Sequence, residues 1–146
     1  MLDKKLLPLA LVYANEGEAV EGRTRFQKMI FLAQKQSDEI QSVEKYDFIP
    51  YDYGPFSKEL YDDIDELVER GIVKERTKTR NGKKKYFYEL SEKGREIIRS
   101  KLQDENFKEI ERTIEEIKSE FNSMELPKLL DIVYSRYPKY AEKSVF

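Results

Sequence analysis

Hydrophobic positions along this chain follow two periods, one of which switches into the other in its middle. Across residues 57–70, apolar side chains recur at Leu60, Tyr61, Ile64, Leu67 and Val68, the spacing of a helix with one buried face. Gly71 follows the last of them, where a glycine ends a helix by taking up a left-handed conformation. Residues 72–79 and 84–90 then alternate with the period of a strand on either side of Asn81-Gly82, a dipeptide suited to a two-residue hairpin turn. The pattern predicts helix, strand, tight turn and strand in that order.

Helical spacing also covers residues 2–15, which break near Asn15 to Gly17, and a second helix opening at Gly22-Arg23-Thr24 with its face at Phe26, Met29, Ile30 and Ala33. Thr24 followed by Gln27 reads as a capping box. Residues 38–56 are the least regular; aromatic residues crowd around Pro50 and Gly54-Pro55 and predict a short strand and a turn. Ser91 caps a helix beginning at Glu92. In a long helix over residues 105–123, Phe107, Ile110, Ile114, Ile117 and Phe121 step by threes and fours, the seam that one partner helix would cover. The last helix, residues 126–137, carries Pro127 in its first turn and stops at Pro138. The sum is an α+β, mostly helical chain: a winged helix-turn-helix domain over residues 2–100 and a C-terminal helical extension over residues 101–146. The seam marks that extension as a dimerisation or packing element, and a homodimer is expected.

Composition removes much chemistry. With no Cys and no His among 146 residues, thiolate nucleophiles, Cys or His metal sites and Ser-His-Asp triads are excluded. Asp62, Asp65, Glu66 and Glu69 stand at helical spacings at which a cation could bind, but such a run is ordinarily a solvated face. No glycine-rich phosphate loop is present. No enzyme activity, cofactor or metal is expected. The outline of a signal peptide in Lys4-Lys5 and the apolar run after it is better explained as a core helix containing Pro8. No run approaches the roughly 20 apolar residues that cross a bilayer, so no membrane association is expected, and the absence of cysteine suits the cytoplasm.

Charge matters locally, because the whole chain carries only −2. If Asn81-Gly82 is the whole loop, cross-strand partners follow, and Lys74, Arg76, Lys78 and Arg80 share one face with Lys83 and Lys85, leaving only Lys84 on the other. Such a face suits a phosphate backbone; it also serves simply to keep an exposed ribbon from pairing edge to edge. The helix before it has the opposite character: Glu59, Asp62, Asp63, Asp65, Glu66 and Glu69 against Lys58 and Arg70. Carboxylates repel phosphates and find few base-edge donors, so this helix is a poor groove reader. Arg23, Arg25 and Lys28, near a positive helix N-terminus, are the other candidate phosphate contacts.

Two segments also resemble known families. Residues 25–34, Arg-Phe-Gln-Lys-Met-Ile-Phe-Leu-Ala-Gln, and residues 51–61, Tyr-Asp-Tyr-Gly-Pro-Phe-Ser-Lys-Glu-Leu-Tyr, resemble the YwgA-like proteins and, more distantly, the Panacea domain of SocA-like antitoxins. Residues 88–96 resemble the exit from the wing in MarR- and PadR-like regulators. The YwgA-like resemblance covers about residues 5–100; Phe26 stands where the family usually has Leu, and Tyr51 where Panacea domains often have Trp. The Panacea resemblance implies a protein partner.

The expected function is a small DNA-binding, transcriptional-regulator-like protein that touches double-stranded DNA through Lys74, Arg76, Lys78, Arg80, Lys83, Lys84 and Lys85, with Arg23, Arg25 and Lys28 as further contacts. The competing expectation is a protein-interaction module of antitoxin or adaptor type, using Asp62, Asp63 and Glu66 on the acidic helix with Tyr51 and Tyr53.

Overall fold

A computed structural model describes residues 3–36 and 43–145; the expected irregular segment therefore begins, at residues 38–42, outside the described residues. The elements run α1 (Leu6–Gly17), β1 (Val20–Glu21), α2 (Arg23–Gln36), β2 (Ile49–Tyr51), β3 (Gly54–Phe56), α3 (Lys58–Glu69), β4 (Val73–Arg80), β5 (Lys83–Leu90), α4 (Glu92–Arg99), α5 (Glu105–Phe121) and α6 (Leu126–Arg136), with a 3₁₀ turn at Pro138–Ala141. No helix among the described residues is long and apolar enough to cross a membrane.

α1 is the centre of the core. Leu6 to Val12 are all buried, as a helix apolar on every side must be. Its geometry leaves the helix at Ala14, and Asn15 and Glu16 are left-handed. The carbonyl freed at Ala14 accepts from Lys118 Nζ at 2.7 Å, so α5 closes the broken end of α1. α5 packs on α1 and α2 through Phe107, Ile110, Ile114, Ile117 and Phe121, each at most 2% exposed. The seam thus meets helices of its own chain, which corrects the expectation of a dimer built on it. One core runs through both segments of the chain.

Ser57 Oγ accepts from Leu60 N to open α3, and Gly71, at φ +72°, closes it: Gly71 N donates to Val68 O and Ile72 N to Leu67 O. The β4–β5 hairpin turns on Asn81 and Gly82, both left-handed, and its register pairs Lys74 with Glu89, Arg76 with Phe87, Lys78 with Lys85 and Arg80 with Lys83. β1 joins the other edge of β5, giving the order β1-β5-β4. Ser91 Oγ accepts from Gly94 N to start α4. Gly94 has no room for a side chain, since a Cβ there would lie 2.5 Å from Ile72 O and 2.4 Å from Leu90 Cδ1.

The expected capping box does not form. α2 begins at Arg23, so Thr24 lies inside its first turn, and Gln27 reaches a different segment. Its amide donates to Ser57 O at 2.8 Å and accepts from Ser57 N at 3.0 Å. Gln34 does the same with Tyr46, at 2.9 and 2.8 Å. Two glutamines seven residues apart therefore hold the connection to α3 against α2, each replacing a strand partner. β2 and β3 form a small two-stranded sheet where one strand was expected.

Candidate nucleic-acid interface

Beyond its buried base the hairpin stands free. Lys74, Arg76, Lys78, Arg80, Lys83, Lys84 and Lys85 are all exposed, whereas Val73, Tyr88 and Leu90 enter the core. The alternation of a pleated strand with the observed register puts Lys74, Arg76, Lys78, Arg80, Lys83 and Lys85 on the face that also carries Phe87 and Glu89. Two of these cations have carboxylate partners: Arg76 pairs with Glu89, and Lys85 with Glu21 at 3.0 Å. Lys78 lies 5.5 Å from the centre of the Phe87 ring. Among the described residues, Lys74, Lys78, Arg80 and Lys83 take part in no ion pair. On the opposite face Lys84 stands 5.6 Å from the Tyr86 ring centre.

The three cations of α2 are placed otherwise than expected. Arg23 lies between the acidic helix and the sheet. It donates to Asp65 Oδ1 at 2.5 Å, to Tyr88 Oη at 2.9 Å and to Glu75 Oε2 at 3.4 Å, with Tyr61 stacked 4.3 Å from its guanidinium carbon. Burial pulls the Arg23 pKa down, but the bonds to Asp65 and Tyr88 outweigh it and hold it above the ordinary value. Arg25 is buried and donates to Phe121 O and Met124 O at the end of α5, and burial lowers its pKa. Lys28, 2% exposed, donates to Pro55 O at 3.0 Å, and burial brings its pKa to about 7. Arg25 and Lys28 are therefore corrected from phosphate contacts to internal ties, and Arg23 to the hub of a charge network.

The acidic helix is largely compensated from within. Lys4 pairs with Glu59, Lys58 with Asp62, Arg23 with Asp65, and both Lys5 and Arg70 with Glu66. Asp63 faces inward and accepts from Tyr46 Oη at 2.7 Å; burial raises its pKa above the usual carboxylate value. Asp63 is thus corrected from a partner contact to a buried acceptor. Asp62 and Glu66 remain at the surface, each tied to a cation. Tyr51 and Tyr53 are half exposed, as is Tyr61, beside a hollow of about 150 Å³ that also meets Phe56 and Lys28.

Gln27, Lys28 and the Tyr51–Tyr61 segment, brought together here, are the residues on which the family resemblance was read. The chain is similar to YwgA of Bacillus subtilis (strain 168). The two are 38% identical over 91 residues, which is 62% of this chain and 52% of YwgA, itself described as an uncharacterized protein. The chain thus spans about half the length of that relative. No protein-family model matches the chain. The YwgA-like resemblance is supported by this similarity, and the tie from Lys28 to Pro55 gives its two motifs a common structural role.

Sequence reasoning missed a third group. Asn122, Ser123 and Met124, in the connection from α5 to α6, share a cleft with the start of α2 and with Arg80, Lys84 and Lys85. No local pattern marks it, because its walls come from three separate parts of the chain.

Proposed function

We propose that the chain is a winged-helix protein that binds double-stranded DNA through phosphate contacts made by the β4–β5 hairpin. The order α1, β1, α2, α3, β4, β5 with the sheet order β1-β5-β4 supports the winged-helix reading. The observation that carries the function is the hairpin's open face, where Lys74, Lys78, Arg80 and Lys83 lie exposed without carboxylate partners among the described residues. A flat row of cations holds a polyanion without reading bases. α3 contributes no base readout: Glu59, Asp62 and Glu69 remain exposed on it. Contact is therefore blind to sequence.

A fluorescence-anisotropy titration of a random duplex at about 50 mM salt tests this. The unaltered protein binds, and the triple variant Lys74→Glu, Lys78→Glu, Lys83→Glu does not. Equal binding by both proteins would overturn the proposal.

One observation favours a second reading, a protein-interaction module: Ile49, Tyr51, Tyr53 and Tyr61 are 41–59% exposed within one surface. Replacing Tyr51 and Tyr53 by Ser leaves DNA binding unchanged if the hairpin is the contact, and separates the two surfaces.

A further inference from the structure

Tyr51, Phe56 and Tyr61 stand in a row. The Phe56 ring centre lies 5.0 Å from that of Tyr51, with the planes at 33°, and 6.2 Å from that of Tyr61, at 40°. The Arg23 guanidinium continues the row, 4.3 Å from the Tyr61 ring. These groups and Tyr53 line the hollow of about 150 Å³. Tyr51, Tyr53 and Tyr61 keep 50, 47 and 41% of their surface exposed, and Ile49, on the same strand as Tyr51, keeps 59%. Apolar groups gathered so closely at a surface mark a contact site.

The size and edges of this surface decide what covers it. An aromatic side chain buries about 150–250 Å² when fully covered, so four side chains about half exposed offer about 400 Å². A second copy of this chain would need about 800 Å² per partner for a stable interface. A short segment fits the area instead. It does not join as a strand, because the middle residue of both β2 and β3 is a proline, Pro50 and Pro55, which has no N–H to give. The rings and the polar groups around them must hold it.

Those polar groups narrow its chemistry. The hydroxyls of Tyr51, Tyr53 and Tyr61 have no hydrogen-bond partner among the described residues. No carboxylate lines the hollow. Such a wall offers donors and suits a ligand with carbonyl acceptors and few N–H groups. Proline is that residue, and polyproline II conformation leaves its carbonyls open. One turn of that helix, about 9 Å, is close to the length of the ring row, and its shape is set before binding. The rim adds charge. Asp52, between Tyr51 and Tyr53, is exposed and takes part in no ion pair among the described residues. Asp62, beside Tyr61, is exposed as well, with only the surface cation Lys58 as partner. These carboxylates suit a basic residue next to the prolines and repel a nucleic-acid strand whose bases would stack on the rings. We infer that this hollow docks a proline-rich segment of a partner protein, in polyproline II conformation and flanked by a basic residue. This rests on the protein-interaction reading and names its partner.

The full chain titrated with a synthetic peptide, followed by amide chemical shifts, tests the site. The probe is an acetylated, amidated octaproline carrying one arginine at its N- or C-terminal end. Saturable shifts are expected over residues 49–61 and at the start of α2, with at least one of the two peptides. Tyr51→Ser and Tyr61→Ser each weaken binding about tenfold. Tyr51→Phe, which keeps the ring, loses less. Asp52→Asn weakens binding of the arginine peptide and leaves octaproline without arginine unchanged. No saturable shift with either arginine peptide would overturn the inference, as would binding that survives Tyr51→Ser in the folded protein. Equal binding of an alanine counterpart at the same residues would overturn it too, while leaving the protein-interaction reading in place. Saturable shifts there with single-stranded oligothymidine and none with the peptides would overturn both.

Discussion

Gln27 and Gln34 each bind both the N–H and the C=O of one residue in a segment that lacks a sheet partner. Gln27→Ala removes two buried bonds and leaves the Ser57 N–H unpaired beside the start of α3, while Ser57 O keeps the bond from Tyr61 N. A loss of about 1–3 kcal/mol is expected in denaturant unfolding. Lys28 and Lys118 predict a pH effect. Burial lowers their pKa values from 10.5 to about 7 and about 8, so between those values and 10.5 the unfolded chain binds more protons than the folded one. Stability from these two groups therefore rises as pH increases from 7 to 9, and unfolding free energies across that range should show it. Lys118→Met should flatten the rise, although it also leaves Ala14 O without its donor. The role of Gln27 was hidden because a three-residue spacing from Thr24 looks like a cap, whereas its partner lies thirty positions away. Lys28 was hidden for a related reason: nothing local distinguishes a lysine tied inside from one at the surface.

At the scale of elements, the hairpin was legible and the seam only half so. Asn81-Gly82 permits one tight turn, and a two-residue turn fixes every pair from Arg80–Lys83 to Val73–Leu90. The spacing of Phe107, Ile110, Ile114, Ile117 and Phe121 shows a stripe one helix wide but says nothing of whose helix covers it. The answer lay in α1, which is apolar on all sides and needs covering on each of them. Ile114→Ala should therefore cost about 2–5 kcal/mol by opening a cavity. It should leave the sedimentation coefficient unchanged, whereas a seam between two chains would make stability depend on protein concentration. Gly94→Ala tests the exit from the hairpin: its methyl group meets Ile72 O, and overpacking of about 1–3 kcal/mol or more is expected in thermal unfolding.

Across the whole molecule, a net charge of −2 conceals a separation of sign. Carboxylates gather on α3, where Lys4, Lys5, Arg23, Lys58 and Arg70 compensate most of them; cations gather on a ribbon with few acids within reach. The compensated helix gives a phosphate backbone nothing to hold, while the ribbon gives it a row of unpaired charges. The most direct measurement is the salt dependence of random-duplex affinity, plotted as the logarithm of the binding constant against the logarithm of salt concentration. With Lys74, Lys78, Arg80 and Lys83 each displacing a counterion, the slope should be about −4, and each of these residues changed to Gln should reduce it by about 1. Affinity that does not vary with salt, or a slope unmoved by those substitutions, would contradict the account.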